Sequence, residues 1–176
     1  MRTLATLIVL LAISGCSALP DEAQSPSRRT DVPSPSSPAD AAARRAGAVT
    51  GDHTGRQIAQ FALTMVGTPY RYGGESPGTG FDCSGLVFYS FSQTGIAVPR
   101  TSREQFSSAR KIALRDAGEG DLLFFSDQEK LSHVGIYLGD GRFVHAPSSG
   151  RTVSVAELDH PWYQQHLVGV GRLLND

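Results

Sequence analysis

From Ser17 to Gly55 the chain is rich in Pro, Ser, Ala and Asp, centres on Pro33-Ser34-Pro35-Ser36-Ser37-Pro38, and carries no sustained apolar period. Such a stretch cannot bury enough apolar surface to offset the entropy of ordering it. Everything able to fold around a core is therefore confined to residues 56–176, one domain of about 120 residues, enough for a single core. Residues 17–55 read as a disordered tether with Arg28, Arg29, Arg44 and Arg45 solvated. As a random coil the tether reaches roughly 35 Å, and as extended polyproline II up to about 120 Å. The formal net charge is −1, so neither a nucleic-acid footprint nor an acidic tail is indicated; nucleic acid is not an expected partner.

Ahead of the tether, Arg2 is followed by an apolar run from Leu4 to Ile13 interrupted only by Thr6. At about ten residues it is too short to span a bilayer as a helix and reads as the core of an export signal. The run ends in Ile13-Ser14-Gly15-Cys16, which resembles the lipobox of bacterial lipoproteins. The resemblance implies that residues 1–16 act as a lipoprotein signal peptide, that Cys16 is acylated, and that the mature chain is held in the membrane by more than one acyl chain, as firm anchoring requires. Ser17 after that cysteine resembles the pattern that sorts lipoproteins to the outer membrane, so the expected location is the periplasmic face of the cell envelope.

Within the domain, Ile58, Phe61, Ala62, Met65 and Val66 recur at helical spacing before Gly67 and Pro69, predicting a first helix from about Arg56. After the glycine-rich stretch 73–80, Leu86, Val87, Phe88 and Phe91 predict a buried helix starting at Cys83, with Asp82 as its cap and Gly95 as its stop. Thr101 and Glu104 have capping-box spacing for a third helix to about Ala109. From there the pattern changes to strands at 122–125, 134–138, 142–146, 152–155 and 167–173, short and rich in β-branched or aromatic residues. Helices first and strands afterwards argue for an α+β fold, N-terminal helices packed on a central antiparallel sheet.

The chain has two cysteines. With Cys16 consumed by processing, Cys83 is an unpaired thiol in an exported domain, and its place at a helix start favours the thiolate. The surrounding turn, Gly80-Phe81-Asp82-Cys83-Ser84-Gly85, offers backbone amides to a developing oxyanion. His133 and His145 fall on two consecutive strands, so one thiol and two imidazoles form a possible nucleophile, base and orienter. Side chains alternate along a strand, so the two rings share a face only if the connecting turn is odd in length or the hairpin carries an equivalent bulge, which sets Gly135 opposite His145. That geometry, with both rings facing Cys83 and a hydrogen bond from His133 Nδ1 to His145, is the expectation.

Five segments, Pro69-Tyr70-Arg71-Tyr72-Gly73-Gly74, Phe81-Asp82-Cys83-Ser84-Gly85-Leu86-Val87, Gly120-Asp121-Leu122-Leu123-Phe124-Phe125, His133-Val134-Gly135-Ile136-Tyr137-Leu138-Gly139 and Phe143-Val144-His145-Ala146, resemble in order the successive motifs of the NlpC/P60 family. The resemblance implies a papain-like fold and hydrolysis of peptide bonds in bacterial peptidoglycan. It implies Cys83 as nucleophile, His133 as base, His145 as the polar third member, and Tyr70 as an oxyanion donor, with Tyr72 in a packing role. Asp82 and Ser84 match positions that hold the free amino end of a stem peptide in some members; capping explains Asp82 equally well. Arg100 and Arg103 are candidates for substrate carboxylates, because Arg binds them in bidentate fashion.

No cofactor or metal is implied, and a monomer is expected. His53, His160 and His166 receive no chemical role, and Trp162 and Tyr163 are expected either to cover the sheet edge or to line the cleft. Three competing functions are open: a zinc site built from one Cys and two His, although short ligand spacings are missing; a wall-binding module that does not cut; and acyl transfer, in which an amine resolves the thioester. The bond attacked is either D-Glu to diaminopimelate or the D-Ala to diaminopimelate cross-bridge. The lipoprotein layout, similar to that of short lipoprotein members of the family, tilts the expectation toward cross-bridges.

Overall fold

The computed structural model describes residues 52–128 and 130–174; the expected signal peptide, Cys16 and most of the tether lie outside the described residues. Helix α1 covers residues 52–64, reaching four residues into the stretch assigned to the tether. Those residues belong to the domain: a side chain on Gly55 would lie 2.2 Å from the Glu119 carbonyl oxygen, and Arg56 Nε donates to Glu119 at 2.9 Å. Ile58, Ala59 and Ala62 form the buried stripe of α1, whereas Phe61 and Val66, expected on that stripe, are largely exposed.

A two-stranded ribbon, β1 (Glu75–Ser76) with β2 (Gly80–Phe81), leads into α2 (Cys83–Ser92), and α3 (Ser102–Ser108) follows. Asp82 caps α2 by accepting from the Gly85 amide, and the Thr101–Glu104 capping box on α3 is complete. The rest is one antiparallel sheet of six strands: β3 (Arg110–Ile112), β4 (Leu122–Asp127), β5 (Lys130–Gly139), β6 (Arg142–His145), β7 (Ser154–Glu157) and β8 (Leu167–Arg172), in the order β3-β8-β4-β5-β6-β7. A short 3-10 turn at Leu114–Asp116 and helix α4 (Pro161–His166) complete the chain.

The sheet is covered on both faces. Leu122, Phe124, Val134, Ile136 and Val144 pack against Ile58, Leu86 and Phe91 of the helices, while Leu123, Phe125, Tyr137, Phe143 and Val170 form a second cluster on the opposite face. Double coverage is why β4 reads as the unbroken apolar run Leu122-Leu123-Phe124-Phe125 rather than alternating, although its neighbours are antiparallel. The strand expected at 152–155 is instead Ser154–Glu157, because Thr152 forms an isolated bridge with Pro69. Asp121, 2% exposed, receives two hydrogen bonds from Arg172 at 2.8 and 2.7 Å and one from the Gly118 amide at 2.7 Å. It thereby fastens the start of β4 to the end of β8, which gives the Gly120-Asp121 motif a structural explanation.

Candidate active site

The approach of backbone to backbone at the start of α2 accounts for its glycines. The Asp82 amide donates to the Gly74 carbonyl at 3.0 Å, and that same carbonyl oxygen would sit 2.1 Å from a side chain on Gly85. Gly73, at φ +74, turns its amide onto Asp82 Oδ2 at 2.9 Å. The Gly73-Gly74 pair and Gly85 thus press the loop against the helix N-terminus, where Cys83 sits half-buried as a free thiol.

Arg100 fixes this corner. Its Nε donates to Glu75 at 2.9 Å, one terminal nitrogen donates to Asp82 Oδ1 at 3.0 Å and Ser84 Oγ at 3.1 Å, and the other donates to Asp82 Oδ2 at 2.9 Å and the Gly74 carbonyl at 3.1 Å. A guanidinium has five N–H donors, and all five are satisfied here. The expected substrate-binding residues Asp82, Ser84 and Arg100 do converge, but Arg100 keeps no donor for a substrate carboxylate; its part is to hold Asp82. Desolvation pushes the Asp82 carboxyl up, but the Arg100 hydrogen bond and charge, with the Gly85 and Gly73 amides, outweigh it and hold it below the usual carboxylate value. Arg103 is exposed on α3. Buried Gln105 ties α3 to the same corner by donating to the Ser84 and Pro99 carbonyls at 3.1 and 2.8 Å, a role that nothing in the local sequence signals.

Burial pushes the Cys83 thiol up, and the charge of Asp82 adds to that; the nearby backbone amides of Val134, Ser84 and Cys83 itself act in the opposite sense. The expected lowering by the helix start is therefore present but loses to desolvation. Val134 follows His133 on β5, the strand that packs on α2. Tyr70 is partly buried; burial, then the charges of Cys83 and Asp82, raise its hydroxyl, keeping it a neutral donor near the thiol. Tyr72, expected to pack, is 89% exposed.

On the hairpin, Tyr137 pairs with Phe143 and Ile136 with Val144, but Gly139 pairs with Arg142. The turn is thus the two residues Asp140 and Gly141, both at positive φ, and a bulge at Leu138 restores the parity that a two-residue turn alone would break. Continuing the register sets Gly135 opposite His145, and His133 and His145 share the face as expected. His133 Nε2 and His145 Nδ1 lie 2.8 Å apart. The nitrogen differs from the expected Nδ1, because a ring reaching diagonally across Gly135 needs its distal atom. The space over Gly135 is filled by Phe143, whose Cδ2 would be 2.5 Å from an added side chain and whose ring packs on His145 at 5.0 Å.

His133 and His145 are 8% and 3% exposed. Burial lowers His133 to about 3, with the neighbouring His145 adding to the shift, and lowers His145 to about 4, with the charge of Arg151 second. Both imidazoles are neutral at pH 7, and the shifts on thiol and imidazole alike oppose a preformed thiolate–imidazolium pair. The outer nitrogen of His145, Nε2, lies 3.4 Å from the Tyr163 hydroxyl. Tyr163 comes from α4, whose cap is the His160 side chain accepting from the Trp162 amide at 3.2 Å; of the two places expected for Trp162 and Tyr163, the sheet edge or the cleft, both line the cavity that His133 and His145 share, and the contact with His145 has no local signal in the sequence. Among the described residues no group of three His, Cys, Asp or Glu side chains is placed to hold a metal ion.

A helix that starts at a thiol, packed on an antiparallel sheet that carries two hydrogen-bonded imidazoles, is the arrangement of the papain-like cysteine peptidases as a class. The sequence profile of the NlpC/P60 family matches residues 67–172, and the chain belongs to that family. It is 44% identical over 115 residues to the bifunctional muramidase/DL-endopeptidase CwlT of Bacillus subtilis, covering 64% of this chain and 34% of that protein. It is 39% identical over 117 residues to the murein DD-endopeptidase MepH of Escherichia coli, covering 64% and 43%. Among solved structures, the NlpC/p60 domain of the peptidoglycan hydrolase SagA matches with TM-score 0.60 at 35% identity, covering 67% of this chain and 97% of that one. A lipoprotein-like NLP/P60 protein of Staphylococcus aureus matches with TM-score 0.63 at 36% identity, covering 71% and 43%. The chain spans about a third to a half of the length of the curated relatives it matches.

Proposed function

We propose that this chain is a peptidoglycan endopeptidase with Cys83 as nucleophile, His133 as general base and acid, His145 as its orienter and Tyr70 as an oxyanion donor. The observation that carries the reading is the 2.8 Å bond from His133 Nε2 to His145, with His133 on the strand that packs against the helix opened by Cys83. His133 Nδ1 takes the thiol proton as the sulfur attacks the scissile carbonyl, because burial disfavours separating the charges beforehand. The Cys83 amide and the Tyr70 hydroxyl receive the oxyanion. Collapse expels the amine with the proton from His133, and water resolves the thioester. Asp82, held as a carboxylate, suits the free amino end of a stem peptide, with Ser84 beside it. Cys83→Ala is expected to lose about four orders of magnitude in kcat, and alkylation of the thiol should match it. Mass spectrometry of muropeptides from digested wall checks both the activity and the bond, which on this reading is the D-Ala to diaminopimelate cross-bridge. New termini produced at an undiminished rate by the alkylated protein would overturn the mechanism.

The same proposal places the protein at the periplasmic face of the outer membrane, exported by residues 1–16 and anchored through acylated Cys16, with the Pro- and Ser-rich segment as the lead to the wall. The apolar run Leu4 to Ile13 and the Ile13-Ser14-Gly15-Cys16 sequence support it. Fractionation tests it: Cys16→Ser should release the protein from membranes or block its maturation.

A further inference from the structure

A cavity of about 680 Å³ opens onto His133 and His145, and its walls include Arg151, Trp162 and Tyr163 but none of Tyr70, Asp82, Ser84 or Arg100. Arg151 springs from a fixed backbone: its amide donates to the Ser148 carbonyl at 3.1 Å and its carbonyl accepts from the Tyr70 amide at 2.8 Å. Its guanidinium is near enough for its charge to oppose protonation of His145. Unlike Arg100, whose donors are all used inside the protein, Arg151 has no carboxylate partner among the described residues. A cation left unpaired on the wall of a cavity that reaches the base is placed for an anion brought by the ligand.

We infer that this cavity is the subsite for the leaving-amine half of the substrate, and that Arg151 binds a free carboxylate carried by that half. The inference rests on the peptidase reading above. There His133 hands its proton to the departing amine, so the residue bearing that amine lies against the imidazole, where this cavity opens, while the acyl half lies toward Tyr70 and Asp82. Asp127 is the one carboxylate among the cavity's described lining residues and offers a counter-charge for an ammonium, so the pocket suits a zwitterionic diamino acid whose carboxylate is free. Arg rather than Lys fits this task, because its planar fork matches a carboxylate with two parallel donors.

The test measures binding of two synthetic L-Ala-γ-D-Glu-diaminopimelate peptides, one with the diamino acid carboxylates free and one with them amidated, to the Cys83→Ala protein by calorimetry. The free form should bind about ten-fold more tightly or better, as loss of a charge-assisted bond implies. Adding Arg151→Gln should erase the difference, and Arg151→Lys should restore part of it. Equal binding of the two peptides before Arg151 is changed, or a preference that survives Arg151→Gln, would overturn the inference. Digestion of purified cell wall by the protein with Cys83 intact reads the other question: a carboxylate preference in binding without any new peptide termini in the wall would leave the subsite standing and sink the peptidase reading.

Discussion

Acid should unfold this protein through its own paired histidines. His133 and His145 sit in the folded state at about 3 and about 4, below the ordinary value of about 6.5 that each regains on unfolding. Between those limits only the unfolded chain binds the proton, so stability is full above about pH 6.5 and is lost as pH falls toward the folded values. At pH 5 each unfolded imidazole lies one and a half units below its own value, about 2 kcal/mol at 1.36 kcal/mol per unit. Both folded values are at least a unit lower still, so the pair together removes about 4 kcal/mol between pH 7 and pH 5. That is a large share of the 5–15 kcal/mol typical of a domain. Asp82, whose carboxyl is held down in the fold, adds its loss only below about pH 4, outside this window. Urea titrations at half-unit steps should show stability falling with a slope of about two protons near pH 5.5, and His145→Gln should reduce that slope to about one. Stability that stays flat from pH 7 to pH 5, or rises, would show that the imidazoles are charged in the fold and that the site rests as an ion pair.

His145→Asn or His145→Gln, which can still accept from or donate to His133, should keep more activity than His145→Ala, while His133→Ala should abolish it; initial rates on wall fragments give the order, and equal loss in all three His145 variants would contradict the orienting role. Gly85→Ala places a methyl 2.1 Å from the Gly74 carbonyl oxygen and 3.0 Å from Asp82 Oδ1, so it should cost about 3 kcal/mol in denaturant titrations and displace Cys83, whereas Gly95→Ala, with no atom within 4 Å but φ +76, should cost about 1 kcal/mol and leave turnover intact.

What could be read from the chain alone was whatever a short window contains. The α2 start was legible because a cap, a thiol and an apolar helix adjoin within a few residues, and the shared face of the two histidines was legible because strand parity and the Asp140-Gly141 turn leave few registers. The ring nitrogen was not, since it depends on how far an imidazole must reach across Gly135. Neither was α4: six residues hold too little of a helical period to announce themselves, so the approach of Tyr163 to His145 across 18 positions had no local trace. The arginines make the point most sharply. Arg100, Arg103 and Arg151 look alike as letters, and only the fold distinguishes them, closing five donors of Arg100 around Asp82, Ser84, Glu75 and Gly74 while leaving Arg151 on the wall of the cavity beside the base. A charge already satisfied at home is scaffold, and a charge without a partner beside the reacting groups is where a ligand's opposite charge belongs.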